Sequence, residues 1–140
     1  MWADETGEPH KMKSSYRNAT PFTTKDGSTI RELMHPAVHV SLGVHAQSFA
    51  EATVEPGMRT QAHMHRRSEE IYHITAGTGR MTLGDAEFDI GVGDTVLIPP
   101  GTPHFVRNTG SVALKIICAC TPAYADDDTV MLSDASSNQK

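Results

Sequence analysis

Residues 57–77 read GMRTQAHMHRRSEEIYHITAG, and this stretch decides how the chain folds. It places His63 and His65 two residues apart, and side chains two apart on an extended strand point to the same face. Glu70 opens the next strand-like run. The stretch therefore predicts short β-strands that present two imidazoles and a carboxylate close to one another.

A second stretch, GDTVLIPPGTPHFVRN at residues 93–108, supplies His104 just after a Pro-Pro-Gly turn. Together with His63, His65 and Glu70 it makes a set of three imidazoles and one carboxylate, which suits Zn, Fe, Mn, Ni, Co or Cu. Four protein ligands leave two octahedral positions open, and an open position distinguishes a catalytic metal site from a closed structural one. We therefore predict one divalent metal ion per subunit, with zinc as the first choice.

The remaining sequence reads as short strands separated by turns. Strand-like runs at 48–55, 70–76, 80–83, 86–90, 95–98 and 112–119 alternate with Gly and Pro turns. No amphipathic helix pattern of any length is present, although a short helix would fit within 28–46. Many short strands without helices predict an all-β barrel or jelly roll.

The domain organisation follows from the same pattern. Residues 1–28 read as a polar N-terminal arm in which Trp2, Tyr16 and Phe22 are isolated aromatic anchors. Residues 29–132 read as a single domain, which is what 140 residues allow. Residues 133–140 read as a disordered tail. We predict a homodimer in which the arm crosses onto the partner subunit.

The two quoted stretches resemble the two motifs of the cupin superfamily. The first motif is Gly-x5-His-x-His-x4-Glu-x6-Gly, and the second is Gly-x5-Pro-x-Gly-x2-His-x3-Asn. Ten positions match at the right spacings: Gly57, His63, His65, Glu70, Gly77, Gly93, Pro99, Gly101, His104 and Asn108. The resemblance implies a single-domain cupin, with an all-β jelly-roll barrel or sandwich and an N-terminal arm.

The resemblance also implies a role for each matched residue. His63, His65, Glu70 and His104 match the metal ligands of the family. The structural positions are Gly57, Gly77, Gly93, Pro99, Gly101 and Asn108, where glycine permits positive φ, proline presets a bend, and the asparagine makes local hydrogen bonds. The chain also looks similar to the small cupin polyketide cyclases of aromatic antibiotic pathways, which hold a metal at the bottom of an apolar cavity.

Further histidines are candidates for helping a metal-bound water in catalysis. His39 and His45 flank a segment that could line the barrel mouth, and if one of them binds the ion, Glu70 is displaced from it. His73 follows Tyr72, so strand alternation directs it away from the ligand face. A surface or subunit contact is the competing interpretation of His73.

The wall of the substrate cavity is predicted from strand parity and residue type. Burial in an ordinary hydrophobic core is the alternative for every apolar candidate, since apolar residues on a barrel strand must be buried somewhere. The candidates are Phe49, Tyr72, Ile74, Met81, Phe88 and Val106.

Composition narrows the classes of partner. The net charge of −5 argues against nucleic acid, which requires a cationic face. No stretch approaches the roughly 20 apolar residues of a membrane span, and no secretory signal pattern opens the sequence. We therefore expect a cytoplasmic protein. Cys118 and Cys120 are too close in sequence for an unstrained disulfide, and we interpret them as structural thiols.

These observations support one leading function and two alternatives. The leading function is a metal-dependent enzyme in which the ion acts as a Lewis acid on a small hydrophobic or aromatic molecule, in cyclisation, isomerisation or lyase chemistry. An Fe(II) dioxygenase is the first alternative. A sensor that binds a sugar or another metabolite without catalysis is the second.

Overall fold

The structure, a computed structural model, describes residues 12–132, and this part of the chain is built almost wholly from β-strands. Short 3-10 turns at Tyr16–Asn18, Val40–Leu42 and Asp126–Asp128 are the only helical segments within it. The strands are β1 Phe22–Thr23, β2 Thr29–Met34, β3 Ser48–Val54, β4 His63–His65, β5 Glu69–Ala76, β6 Thr78–Leu83, β7 Ala86–Gly91, β8 Thr95–Ile98, β9 His104–Asn108, β10 Leu114–Thr121 and β11 Thr129–Met131. The all-β prediction is confirmed. No helix in the described range is long and apolar enough to cross a membrane.

The strands form two antiparallel sheets that face each other. One sheet has the order β1-β2-β3-β10-β5-β8, and the other has the order β11-β4-β9-β6-β7. Strands distant in sequence become neighbours: β10 pairs with both β3 and β5, and His63 of β4 lies opposite His104 of β9. This crossed order is what joins the two quoted stretches at one place.

The hydrophobic core and the cavity occupy different levels of the same sandwich. Along β10 the inward side chains change from Leu114 and Ile116, which are fully buried core residues, to Cys118 and Cys120. The facing positions on β3 change in parallel, ending in Ala50 and Ser48. Because small side chains cannot fill the space between the sheets, this level is left open as a cavity.

The N-terminal region differs from its sequence-based interpretation. Residues 29–34 form β2, whereas the sequence allowed a short helix there, because this segment pairs in register with β3. Strand β1, within the predicted arm, pairs with β2 of the same chain. Trp2 and the predicted tail at 133–140 lie outside the described residues.

Side-chain hydrogen bonds also hold the arm against its own sheet. The Tyr16 hydroxyl donates to the Glu51 carboxylate at 2.6 Å. The Arg31 guanidinium donates to the Ala19 carbonyl at 2.7 Å, and Ser14 donates to the Leu33 carbonyl. The part of the arm from residue 12 onward therefore has partners within its own subunit.

Two motif positions, Gly77 and Asn108, hold neighbouring backbone segments close together. Gly77 has a φ of 83°, and a Cβ there would lie 2.7 Å from the Ala113 carbonyl oxygen, so only glycine fits. The buried Asn108 amide donates to the Val54 carbonyl at 2.8 Å and the Val112 carbonyl at 2.9 Å. The other motif glycines with positive φ are Gly57, Gly93 and Gly101.

Candidate metal centre

Three histidines meet between the sheets, at the open level of the sandwich. β4 supplies His63 and His65 from alternate positions, and β9 supplies His104 from the neighbouring strand. One ring nitrogen from each of these three lies within 4.8 Å of the others. Each residue is at most 4% exposed. Histidines that bind a metal ion converge in this way. Histidines that serve only as packing in a core have no need to bring their ring nitrogens together.

Backbone carbonyls fix the orientation of two of the rings. The Nδ1 of His63 lies 2.8 Å from the Gln61 carbonyl oxygen, and the Nδ1 of His104 lies 2.9 Å from the Thr102 carbonyl oxygen. A carbonyl only accepts, so in both rings Nδ1 carries the proton and donates it. The Nε2 atoms of these two rings are therefore directed into the site.

The third ring is fixed by a hydroxyl. His65 Nδ1 lies 3.0 Å from Thr129 Oγ1, and that hydroxyl donates its own proton to the Ala125 carbonyl at 2.9 Å. Because the hydroxyl has only one proton, it must accept from His65, and Nδ1 is again the protonated nitrogen. In all three rings an acceptor therefore holds Nδ1, which is the orientation that metal-bound histidines adopt when they bind through Nε2.

Glu70 completes the set from β5. Its Oε1 lies 3.1 Å from His65 Nε2 and 3.6 Å from His104 Nε2. His104 Nε2 is buried and has no hydrogen-bond partner among the described residues. Nitrogen lone pairs that face a carboxylate repel it unless a proton or a cation lies among them. A cation held by the three histidines would supply such a positive charge beside Glu70.

Two pKa shifts describe the metal-free site. Burial by itself would raise the pKa of Glu70, but the neighbouring His104 and His65 imidazoles lower it to about 2. Burial, helped by the proximity of His104, lowers the pKa of His63 below its usual value. At neutral pH the carboxylate is charged and His63 is neutral, which are the states that metal binding requires.

A buried thiol holds the second oxygen of the carboxylate. The Cys120 Sγ donates to Glu70 Oε2 at 3.3 Å. Burial, together with the charge of Glu70, raises the pKa of Cys120 far above its ordinary value, so the group is a thiol and a donor. Cys118 is likewise buried, and both thiols are free. They line the cavity, which the sequence did not indicate.

The cavity beside the histidines has about 550 Å³ of space that no atom fills, including its mouth. Of the residues predicted to line it, only Tyr72 does so. Ile74, Met81 and Val106 lie in the hydrophobic core, and Phe88 packs against that core. Phe49 is 45% exposed, because Ser48 and Ala50 are the inward residues of β3. These five placements correct the prediction, since large apolar side chains fill the closed level and small ones line the open level.

The additional histidines lie away from the cavity. His73 is exposed and its Nδ1 is 2.8 Å from Thr95 Oγ1, as strand parity predicted. The His39 Nδ1 accepts from the His35 backbone N–H at 3.0 Å. His45 is exposed. None of the three lines the cavity, and none belongs to the cluster of His63, His65 and His104.

Two acidic residues that the sequence analysis missed line the cavity. Asp26 comes from the turn between β1 and β2, and its Oδ2 lies 3.7 Å from His63 Nε2. Its Oδ1 accepts from the Thr24 hydroxyl at 2.6 Å and the Ser28 backbone N–H at 3.0 Å. Glu32 is the other, on the inner face of β2. No spacing linked them to the motifs, because Asp26 lies in the predicted arm and Glu32 in a segment where no strand was predicted.

The chain belongs to the cupin domain family, whose model matches residues 50–120. That range is half of the chain and contains all four clustered side chains, so the recognition made from the sequence motifs is confirmed.

Two relatives and one solved structure place the chain within this family. It is 47% identical over 121 residues to the uncharacterized protein MJ1618 of Methanocaldococcus jannaschii, over 86% of this chain and 94% of that protein. It is 32% identical over 97 residues to Protein SchB of Streptomyces halstedii, over 69% of this chain and 68% of that protein. The fold matches Lactobacillus farciminis oxalate decarboxylase in complex with formate with a TM-score of 0.69 at 20% identity, over 83% of this chain. The chain spans about a third of that enzyme, 34%, so this likeness concerns the fold alone.

Proposed function

We propose that this protein is a metal-dependent enzyme that acts on a small organic molecule, with the divalent ion held by His63, His65, His104 and Glu70. The observation that carries the proposal is the buried cluster of three imidazoles beside an ionised carboxylate, with His104 Nε2 unpartnered among the described residues. When bound, a divalent ion supplies Lewis-acid polarisation of a substrate oxygen. The narrow cavity beside the cluster gives the substrate a defined place.

The chain's own residues provide orientation and a proton acceptor. Asp26 keeps its Oδ1 on the Thr24–Ser28 turn, which leaves Oδ2 directed at the histidine cluster. A carboxylate held in this way can accept a proton from a substrate carbon or hydroxyl next to a polarised carbonyl. The buried Tyr72 contributes an aromatic wall and a neutral hydroxyl, because burial and the nearby Glu70 keep its pKa well above the ordinary value.

The reaction class that fits this arrangement is non-redox cyclisation or isomerisation, as in the small cupin polyketide cyclases that the sequence resembles. The pairing of a fixed carboxylate with a Lewis-acid site supports proton transfer next to a carbonyl. Zinc is the ion we propose first, since imidazole and carboxylate ligands suit it.

Elemental analysis of protein purified without chelator or metal-affinity resin tests the proposal, paired with oxygen-electrode traces on a panel of phenolic and diketone compounds. We expect near-stoichiometric zinc, turnover of a panel compound and no oxygen uptake. Iron, copper or manganese with substrate-dependent oxygen uptake would replace the proposal with a dioxygenase. Absence of any metal after reconstitution would reject the enzyme in favour of a metabolite-binding protein.

We also propose that the protein forms a homodimer through the outer face of the larger sheet. Phe49, Ala119, Ile71 and Leu97 are paired in one row across four neighbouring strands. The three large members of this row are 39–54% exposed, and a contiguous apolar row of this kind favours association. Light scattering after size exclusion should give twice the monomer mass, and Leu97→Glu should give the monomer. A monomeric wild type at micromolar concentration would contradict the proposal.

A further inference from the structure

Glu32 occupies the side of the cavity farthest along the sheet from Glu70. It lies on β2, and three strand spacings of about 4.8 Å separate β2 from β5. The side chain of Glu32 is 8% exposed and lines the cavity. Its Oε1 is buried and has no hydrogen-bond partner among the residues that the structure describes.

The floor between Glu32 and the metal centre is lined mainly by small residues. Glu32 is paired with Ala50, Ala50 with Cys118, and Cys118 with Tyr72, in one row across the sheet. The adjacent row runs from Ser48 through Cys120 to Glu70. No bulky side chain of either row stands between the two ends, so a single ligand can lie across this floor and reach both.

The unpartnered oxygen of Glu32 favours a ligand that carries a hydrogen-bond donor at this end of the cavity. A buried carboxyl oxygen without a partner is costly, and in a binding cavity the group that satisfies it is the ligand. Asp26, Glu32 and Glu70 all line the same cavity, and these carboxyl groups disfavour a ligand that carries a negative charge at the Glu32 end. Burial raises the pKa of Glu32, although the nearby His35 partly opposes this. A neutral hydrogen-bond donor on the ligand is compatible with this carboxyl group.

We propose that Glu32 is the second recognition group of the cavity and binds a hydroxyl or amino group of a small organic ligand whose opposite end presents an oxygen to the three-histidine centre. The proposal rests on the proposed function and specifies its substrate class: a neutral, flat compound with a metal-binding oxygen at one end and a donor at the other. A phenol or aniline that carries a carbonyl group has this form.

Matched hydroxamic acids test the two-ended arrangement. Zinc-loaded protein is titrated calorimetrically with benzohydroxamic acid, its 3-hydroxy and 4-hydroxy derivatives, and the 4-methoxy derivative, which lacks the donor. We expect at least one hydroxy compound to bind about tenfold more tightly than the parent, as a hydrogen bond to a charged group allows. The methoxy compound should gain nothing.

Variants assign that gain to Glu32. In Glu32→Ala the hydroxy and parent compounds should bind equally, while affinity for the parent stays within about twofold of wild type because its metal-binding end is untouched. Glu51→Gln is the matched control, since Glu51 is equally buried but bonds Tyr16 outside the cavity. The hydroxyl gain should survive there. A gain that persists in Glu32→Ala, or the absence of any gain in wild type, overturns the proposal.

A metal-free measurement separates this inference from the metal proposal. Protein labelled with carbon-13 at the glutamate carboxyl carbons is titrated with phenol or anisole in the presence of EDTA, and the Glu32 resonance is assigned by its loss in Glu32→Gln. Phenol should move that resonance and anisole should not. A phenol response without any hydroxamate binding to zinc-treated protein would reject the metal centre but keep Glu32. Hydroxamate binding without a phenol response would reject the role of Glu32 alone.

Discussion

The two ends of the cavity are built in different ways. At the histidine end, strands β4, β5 and β9 present their ligand-type side chains from regular positions, and each ring is fixed by a hydrogen bond at Nδ1. Asp26, from the turn before β2, also reaches this end, with Oδ2 3.7 Å from His63 Nε2. At the opposite end, Glu32 comes from a strand near the sheet edge. The first end groups three imidazoles whose rings are fixed, and the second has a carboxyl oxygen, Glu32 Oε1, with no hydrogen-bond partner among the described residues.

This difference suggests that one end binds the metal and the other end selects the organic ligand. The histidine end is nearly independent of the ligand, because its rings are oriented by the backbone and by Thr129. The opposite end of the cavity, at Glu32, determines which organic ligand binds. One carboxyl oxygen of Glu32 has no hydrogen-bond partner among the described residues. A change in the first end should therefore abolish metal binding, whereas changes in the second should alter affinity and choice of ligand.

The largest effect is expected from His104→Ala. This removes the central, fully buried ligand, and zinc affinity should fall by more than about 100-fold, because loss of an outer-shell partner alone costs 10–100-fold. His73→Ala is the control, since that ring is exposed and bonds Thr95. Competition with a chromogenic chelator measures both. Full metal retention by the His104 variant would show that the ligand assignment is wrong.

A smaller effect on the metal is expected from Asp26→Asn. The substitution keeps an acceptor for Thr24 and Ser28 but removes the charge 3.7 Å from His63 Nε2. We expect zinc affinity to fall about tenfold, at the lower limit for outer-shell groups, and turnover to fall further because the proton acceptor is lost. Asp85→Asn, in the exposed turn after β6, is the charge-matched control. Equal affinity in both variants would remove Asp26 from the site.

The pH dependence of stability should report the histidine end of the metal-free protein. The folded pKa of His63 lies below its unfolded value of 6.5, so its stabilising contribution is complete above pH 6.5 and is lost as the pH falls below it. The contribution of Glu70 is complete above pH 4.5 and is lost progressively as the pH falls from there to its folded pKa of about 2. Between pH 6.5 and 5 the slope should therefore follow His63, with a limit of about 1.4 kcal/mol per pH unit.

Urea unfolding in EDTA at several pH values measures this slope. His63→Gln should flatten it, whereas His45→Gln, at an exposed position, should not. A slope that is unchanged in the His63 variant would show that other groups are responsible.

The smallest effect concerns the support of the N-terminal end. Tyr16→Phe removes the 2.6 Å hydrogen bond to Glu51 and should lower the free energy of unfolding by about 1 kcal/mol. Tyr124→Phe removes an exposed bond to Asp126 and should cost about 0.5 kcal/mol or less. Metal and ligand affinity should both stay unchanged in Tyr16→Phe, because this hydrogen bond lies outside the cavity. Loss of both affinities would contradict this expectation.

The family, the all-β class and the histidine cluster could all be predicted from the amino-acid sequence. His63 and His65 share a face because strand side chains alternate, and fixed spacings to Gly77 and Asn108 locate Glu70 and His104. These inferences hold because each depends on local backbone geometry, or on a motif whose glycines are required by the fold, as the close approach of Gly77 to Ala113 illustrates.

The residues that surround that cluster could not be predicted from the sequence and are known only from the tertiary structure. Whether an apolar residue lines a cavity or fills a core depends on the size of the side chains opposite it, and those lie on strands far away in sequence, as for Ile74 and Ile116. Asp26 and Glu32 enter the cavity because β2 pairs with β3. Long-range strand pairing leaves no periodic trace in the sequence, so the far end of the cavity could not be predicted from it.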